Sequence, residues 1–460
     1  MPVLQAPLFV GGIALLAAFA MFFWPAKAAS FLLLFAPVIW AFGATDIHSS
    51  DPAATNIVTA VSGVATVMYA RFLFVPQKNR SLAWLQRAAI VYCLAILPAA
   101  FFSPSFKAGI GGSLRLICPV VFLFAILRCS PPWNIHTPQF RAIALSTICM
   151  FGVIVAAQFT GEGTLYLGGF DRLRAFALSP QHVSLYSVLM VGVLISGVLL
   201  GRRRYLYMSG IAVLLACAYL TGFRTAWIGL ASLISVVMVI AVRSGLAKFL
   251  ALLIALSLLA ASGIIVQSLA RYAHADEAMS VDLLDAIMSG RIKTDAIAFD
   301  RYLRGTPSEW LFGIGGVHSS SEATLEGGGT GDAVHSDLFA TLIECGIIGA
   351  LGYLCFNLTI GWILLRSMRY LPRQHASRTF VAVGFSCFIA FTLMGISGAL
   401  YTNVFVGWCY YGFLGIILAQ IPDSPLAYQN EGKYCNPAVT AAVKLGRHAY
   451  VHYGMRAGVV

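Results

Sequence analysis

Charge is what this chain lacks. Lysine, arginine, aspartate and glutamate make up 10% of its 460 residues, against about 25% in an ordinary soluble domain, and 59% of the residues are hydrophobic. A soluble fold of this length is excluded. Metal-ligand and disulfide spacings are missing too. Cys93, Cys118, Cys149, Cys217, Cys345, Cys355, Cys387 and Cys409 lie in apolar runs without C-x-x-C spacing, which leaves them as small hydrophobic filler. Cys129 and Cys435 fall in segments expected in the reducing cytoplasm. No charged residue precedes the first apolar run, Leu8 to Trp24, and another span follows directly, so a cleaved signal peptide is not expected. The formal charge is +12, but the basic residues are scattered through short loops and form no extended patch. Nucleic acid is therefore not an expected partner.

What is present is a succession of apolar runs of about 17 to 25 residues, the length of helix that crosses ~30 Å of hydrocarbon. Continuous helices pair every backbone amide within their own segment, as lipid requires. The expected fold is an all-α polytopic membrane protein of 12 to 13 transmembrane helices. Spans are expected near 8–24, 29–45, 53–75, 83–102, 108–127, 140–160, 181–200, 204–221, 225–242, 247–267, 337–364, 378–400 and 404–420.

Arginine and lysine mark cytoplasmic loops. Arg71, Lys78, Arg80 and Arg87, then Arg128 and Arg141, Arg202 to Arg204, Arg243 with Lys248, and Arg366 to Arg378 recur on alternate sides of successive spans. The opposite, periplasmic side carries Asp46 and Asp51, the segment 161–180, the turn 222–224 and one large loop, 268–334. That loop holds ten acidic against five basic residues, and a connection so long is usually functional. Within it, Val281 to Tyr302 has the apolar spacing of an amphipathic surface helix. Glycines at 313, 315, 316, 327 to 329 and 331 form a tether that serves either as a lid or as slack. The organisation expected is residues 1–160 as N-terminal transmembrane helices, 161–420 as a transmembrane core including the loop, and 421–460 as a cytoplasmic tail.

Ionisable groups within or beside spans are expensive and so are functional candidates. Arg115, Arg172, Arg174, His182, Arg224, Arg291, His335 and Glu344 cluster at the external ends of helices. For Arg224 and Arg291 the alternatives are a snorkelling or solvated arginine and an anion ligand. Several arginines on one membrane face suit a multiply charged anion, because guanidinium forks match phosphate oxygens. His335 precedes a span, where the helix dipole favours anions and a neutral imidazole; it reads either as a general base or as an interfacial capping residue. Glu344 lies nine residues on, about 13 Å along a straight helix and on its opposite face. It is expected to be structural support, paired with Arg115 or with loop amides.

In order along the chain stand Ser289-Gly290-Arg291, Trp310-Leu311-Phe312-Gly313-Ile314-Gly315, Val334-His335-Ser336-Asp337-Leu338 and Glu344-Cys345-Gly346-Ile347-Ile348-Gly349. This succession resembles the O-antigen ligase and polymerase family of bacterial membrane glycosyltransferases. Thr221-Gly222-Phe223-Arg224 is similar to that family's arginine turn, with Phe223 where serine is commoner. Arg172 to His182 resembles its external segment but reads Ser179-Pro180-Gln181 where a Pro-Asn pair is usual. The resemblance covers about residues 160–420.

The resemblance implies a GT-C-like fold in the bacterial inner membrane with the active site facing the periplasm. It also implies metal-independent, inverting transfer of a glycan from undecaprenyl diphosphate to a saccharide hydroxyl, without a cofactor. His335 would be the catalytic base; Arg224 and Arg291, with Arg172 or Arg174, would bind the diphosphate. The expected partners are the lipid-linked donor, a saccharide acceptor, membrane lipids, and chain-length regulator or export proteins. A polymerase of exopolysaccharide, capsule or O-antigen is the first reading and a ligase to lipid A core the second. A polysaccharide transporter or lipid flippase is the third; it would show broken helices with polar residues at mid-membrane, whereas the polar residues here are expected at the external rim. The orientation is testable: alkaline phosphatase inserted at residue 320 should be active and the same insertion at residue 203 silent, and the reverse pattern would overturn the topology.

Overall fold

The computed structural model describes residues 7–43, 57–102, 106–130, 137–167, 170–200, 204–241, 245, 299–300, 302–313, 336–371, 376–397 and 404–421. The helices are α1 (Pro7–Phe23), α2 (Pro25–Gly43), α3 (Ile57–Phe74), α4 (Arg80–Ile96), α5 (Ala99–Phe102), α6 (Phe106–Cys129) and α7 (Pro138–Phe159). A hairpin of β1 (Thr164–Leu167) and β2 (Phe170–Leu173) comes next. Then follow α8 (Pro180–Leu200), α9 (Arg204–Leu220), α10 (Arg224–Ala241), α11 (Pro307–Phe312), α12 (Asp337–Tyr370), α13 (Ala376–Ser397) and α14 (Val404–Leu418). Seven of the described helices are long and apolar enough to cross a membrane, and five shorter apolar helices accompany them. The span expected at 247–267, the surface helix up to Ala298 and the tail from residue 422 lie outside the described residues.

Helix ends follow local chemistry. Asn79 caps α4, its side chain accepting from the amides of Ser81 and Leu82 at 2.9 and 3.4 Å. Thr137 caps α7, with Pro138 at the first turn, where a missing N–H costs nothing. At one end of the bundle Arg71 donates to the carbonyls of Met21 and Phe22 at 3.1 Å, closing α1 as a cation at a helix carboxyl end should. Arg128 does the same for Val75 and Pro76 beyond α3.

Between apolar helices lipid supplies no hydrophobic drive, so close packing and polar contacts must hold them. At the crossing of α14 and α6, a Cβ on Gly415 would meet the Leu123 carbonyl at 2.8 Å; the absence of a side chain lets the backbones touch. Beside it the Trp408 and Phe122 rings stack at 5.4 Å, and the Trp408 indole donates to Cys118 Sγ at 3.1 Å. Cys118, Cys217, Cys345, Cys387 and Cys409 are buried thiols, used as small packing groups.

The main departure from the expected single span at 337–364 lies in α12. Gly346 has φ 66° and ψ −172°, so a first limb ending at Cys345 meets a second limb at a sharp bend. On a straight helix the α-carbons of Thr341 and Gly349 stand about 12 Å apart, yet a Cβ on Gly349 would come within 3.9 Å of the Thr341 carbonyl oxygen.

α11 braces the bend. A Cβ on Gly346 would lie 2.3 Å from the Leu311 carbonyl, and one on Gly313, itself at φ 79°, would lie 2.2 Å from the Glu344 carbonyl. The two glycines therefore form a reciprocal backbone joint. α11 is fixed by its capping box of Thr306 and Glu309. The paired bonds Tyr302 Oη to the Trp310 carbonyl, 2.5 Å, and Trp310 Nε1 to the Tyr302 carbonyl, 2.9 Å, hold it further. Phe312 stacks on Phe102 at 5.1 Å.

Gly346→Ala carries a positive-φ extended conformation that is essentially reserved for glycine, costing about 1–3 kcal/mol, plus a backbone clash. It should lower the unfolding temperature of the purified protein well below that of Gly152→Ala, where nothing lies within 4 Å of the added methyl. Equal melting of the two variants would remove the joint's importance.

Candidate functional site

The polar residues gather in two places. The first is the turn between α9 and α10 with the hairpin laid over it. Gly222 sits at φ 60°, and Thr221 Oγ1 donates to the Ala218 carbonyl at 2.7 Å, ending α9 so that Arg224 opens α10 as its first residue. Arg172, on β2 opposite Leu165, lies across this turn: a Cβ on Gly222 would be 3.7 Å from its Nε. Two of the expected arginines are thus brought to one helix amino terminus, where free amides and the dipole favour an anion. Both are half-buried.

Arg174, the alternative to Arg172, is engaged elsewhere. Its guanidinium bonds to Glu162 on the exposed side of the hairpin, and its amide donates to the Gly163 carbonyl at 3.0 Å. His182, on the first turn of α8, is buried. Its Nδ1 accepts from the Ser179 amide at 3.2 Å and lies 2.8 Å from Ser179 Oγ, which puts the proton of the neutral ring on Nε2. Arg291 and His335 lie outside the described residues.

The second place is a partly open pocket between helices of the bundle, lined among others by Arg115, Asp337, Tyr353, Asn357, Tyr410 and Tyr411. Asp337 begins α12, and Tyr353 stands sixteen residues later, about 24 Å along a straight helix. They share a pocket because the bend at Gly346 turns the first limb back toward the second. Asp337 is buried against Gly395 of α13, where an added Cβ would fall 2.5 Å from Oδ2; only glycine leaves the carboxylate its place. Asn357 is fixed by donating to the Tyr353 carbonyl at 2.9 Å, and Tyr410 stacks on Phe391 at 4.3 Å.

Asp337 is the carboxylate that lines the pocket with Arg115; Glu344 is buried at the bend, with its backbone carbonyl against Gly313. α12, expected as one straight span, is bent beside this pocket. Asp337 and the tyrosines went unassigned because spacing was taken along a straight helix. The signal that marks them is Gly346, two residues after Glu344 within an apolar run.

Residues 209–354 match the family described as O-antigen ligase. The matched stretch contains Arg224, Arg291, His335, Asp337, Glu344 and both glycines of the joint. No curated protein matches the chain.

Proposed function

We propose that this chain, whose residues 209–354 match the family described as O-antigen ligase, is a polysaccharide polymerase acting on undecaprenyl-diphosphate-linked glycan at the periplasmic face of the bacterial inner membrane. The observation that carries the reading is the laying of Arg172 over the turn that opens α10 with Arg224, inside a family of glycosyltransferase-like enzymes. Two guanidinium groups at a helix amino terminus suit a diphosphate. Each phosphate–arginine contact at about 4 Å supplies on the order of 4 kcal/mol of Coulomb energy at an effective dielectric near 20, before desolvation.

In this mechanism Arg224 and Arg291 hold the diphosphate, and Arg172 adds a third contact. The acceptor hydroxyl oxygen forms its bond to the anomeric carbon from the face opposite the diphosphate. The bond from that carbon to the phosphate oxygen breaks, its electron pair leaves with the diphosphate, and the configuration inverts. The arginines neutralise the charge that grows on the leaving group. His335 takes the hydroxyl proton. No general acid is needed for so good a leaving group, and no metal enters the scheme. Arg174 is the weaker ligand, since it would have to give up Glu162.

The ligase reading, transfer to lipid A core, draws equal support from the family match. The bend in α12 with polar groups beside it is a feature shared with transporters; the family match favours transfer over transport.

His335→Ala should cut polymer synthesis from a lipid-linked repeat by about 10²- to 10⁴-fold and Arg224→Ala by about 10²- to 10³-fold, with membrane insertion intact. Wild-type rates in both would sink the catalytic assignment. Arg172→Gln should slow the reaction and Arg174→Gln should leave it little changed. In a deletion strain, single repeat units on the normal acceptor indicate a polymerase, and bare lipid A core with long carrier-linked chains indicates a ligase.

A further inference from the structure

The pocket behind the bend of α12 has no part in the transfer chemistry above, yet it is a built site. Its lining combines aromatic rings with a few convergent polar groups, the composition by which small-molecule sites fix and orient a ligand. Its two charged lining residues, Arg115 and Asp337, are of opposite sign, so it is formally neutral. That balance is wrong for a diphosphate, which would face the Asp337 carboxylate. It is wrong also for an isoprenoid chain, which offers no hydrogen bonds to a carboxylate, a guanidinium and a carboxamide brought out of water.

A ligand that satisfies all the walls is uncharged, carries hydroxyls at its edge and presents flat C–H faces. Asp337 accepts from hydroxyls, Arg115 donates to ring and hydroxyl oxygens, and the rings of Tyr353 and Tyr410 cover the C–H surface. That is a pyranose ring. Asp337 also stands two residues after His335 in the chain, the group that must meet the acceptor hydroxyl rather than the donor's diphosphate.

We propose that this pocket is the acceptor subsite, binding an uncharged terminal sugar ring of the growing glycan through Asp337, Asn357 and Arg115 and selecting which sugar is extended. The word acceptor rests on the transferase reading; the binding of a neutral sugar does not.

The test uses the purified full chain with two probes: the oligosaccharide repeat released from the host's own glycan, and inorganic diphosphate. Asn357→Leu and Asp337→Asn should each weaken oligosaccharide binding by about tenfold, the loss of roughly one hydrogen bond, while diphosphate binding stays at the wild-type level. In turnover Asn357→Leu should raise KM for the acceptor oligosaccharide and leave KM for the lipid-linked donor unchanged.

Because Asp337 is buried and its replacement also tests folding, Thr392→Val on the exposed lip of the pocket provides another arm, with a smaller loss of oligosaccharide affinity expected. Unchanged oligosaccharide affinity in Asn357→Leu and Thr392→Val overturns the proposal. So does loss of diphosphate binding in either, or binding of an isoprenoid alcohol that Asn357→Leu strengthens. His335→Ala separates this idea from the transfer reading: it should keep oligosaccharide binding while losing turnover. Full turnover in that variant would end the proposed chemistry and leave the sugar-binding result standing.

Discussion

The contact between the backbones of Gly313 and Gly346 is the constraint on which the rest of the polar architecture depends. Each glycine has a positive φ, and each lies where an added Cβ would strike the other segment's backbone within 2.3 Å. One strained glycine would make a kink; two in register make a socket that fixes the direction of the bend. A turn of α11, anchored through Tyr302, Trp310 and Phe312, is in this way coupled to the orientation of the first limb of α12. Tyr302 packs against Ala340 and Ile343 of that limb, so the brace reaches beyond the hinge. The position of Asp337 is thereby set from the far end of its own limb, by residues that never touch it.

Bending an apolar helix in a membrane brings a polar tip into low dielectric, which is affordable only with partners close by. The pocket provides them. Arg115 balances the charge of Asp337, several tyrosine hydroxyls share the space, and the carboxylate sits at the positive end of its helix dipole. The rim solves the opposite problem. There Arg172 and Arg224 bring two guanidinium groups to one helix amino terminus, an arrangement that suits a dianionic ligand. On the proposed mechanism, the difference in charge between the two sites divides the labour between leaving group and incoming sugar.

Much of this was legible in the sequence. Expected spans and observed helices agree to within a few residues at most ends, as at 181–200 against Pro180–Leu200, because the apolar run and its flanking caps determine helix length together. The resemblance through the glycine motifs agrees with the family match over residues 209–354. Arg172 and Arg224 were rightly expected on one face, since charge alternation is a local property of each loop. The pocket was not legible. Helical spacing predicts faces only while the helix is straight, and a glycine such as Gly346, followed by Gly349 and Gly352, reads equally as packing or as a hinge until its φ is known.

The same limit bears on the two carboxylates of α12's first limb. The spacing argument that turned Glu344 away from His335 uses residues before Gly346 and survives over Asp337 to Glu344, which form one regular limb. The pairing with Arg115 was inferred from similar depth, counting from the same membrane face. Depth counted along the chain reverses beyond a bend. On a limb that turns back, the residue nearest the start of the helix lies beside residues well inside its second half, as Asp337 lies beside Tyr353 and Asn357. Glu344, at the bend, stays with the joint. The carboxylate that reaches Arg115's pocket is therefore the first residue of the helix, and it reaches it because the helix is broken.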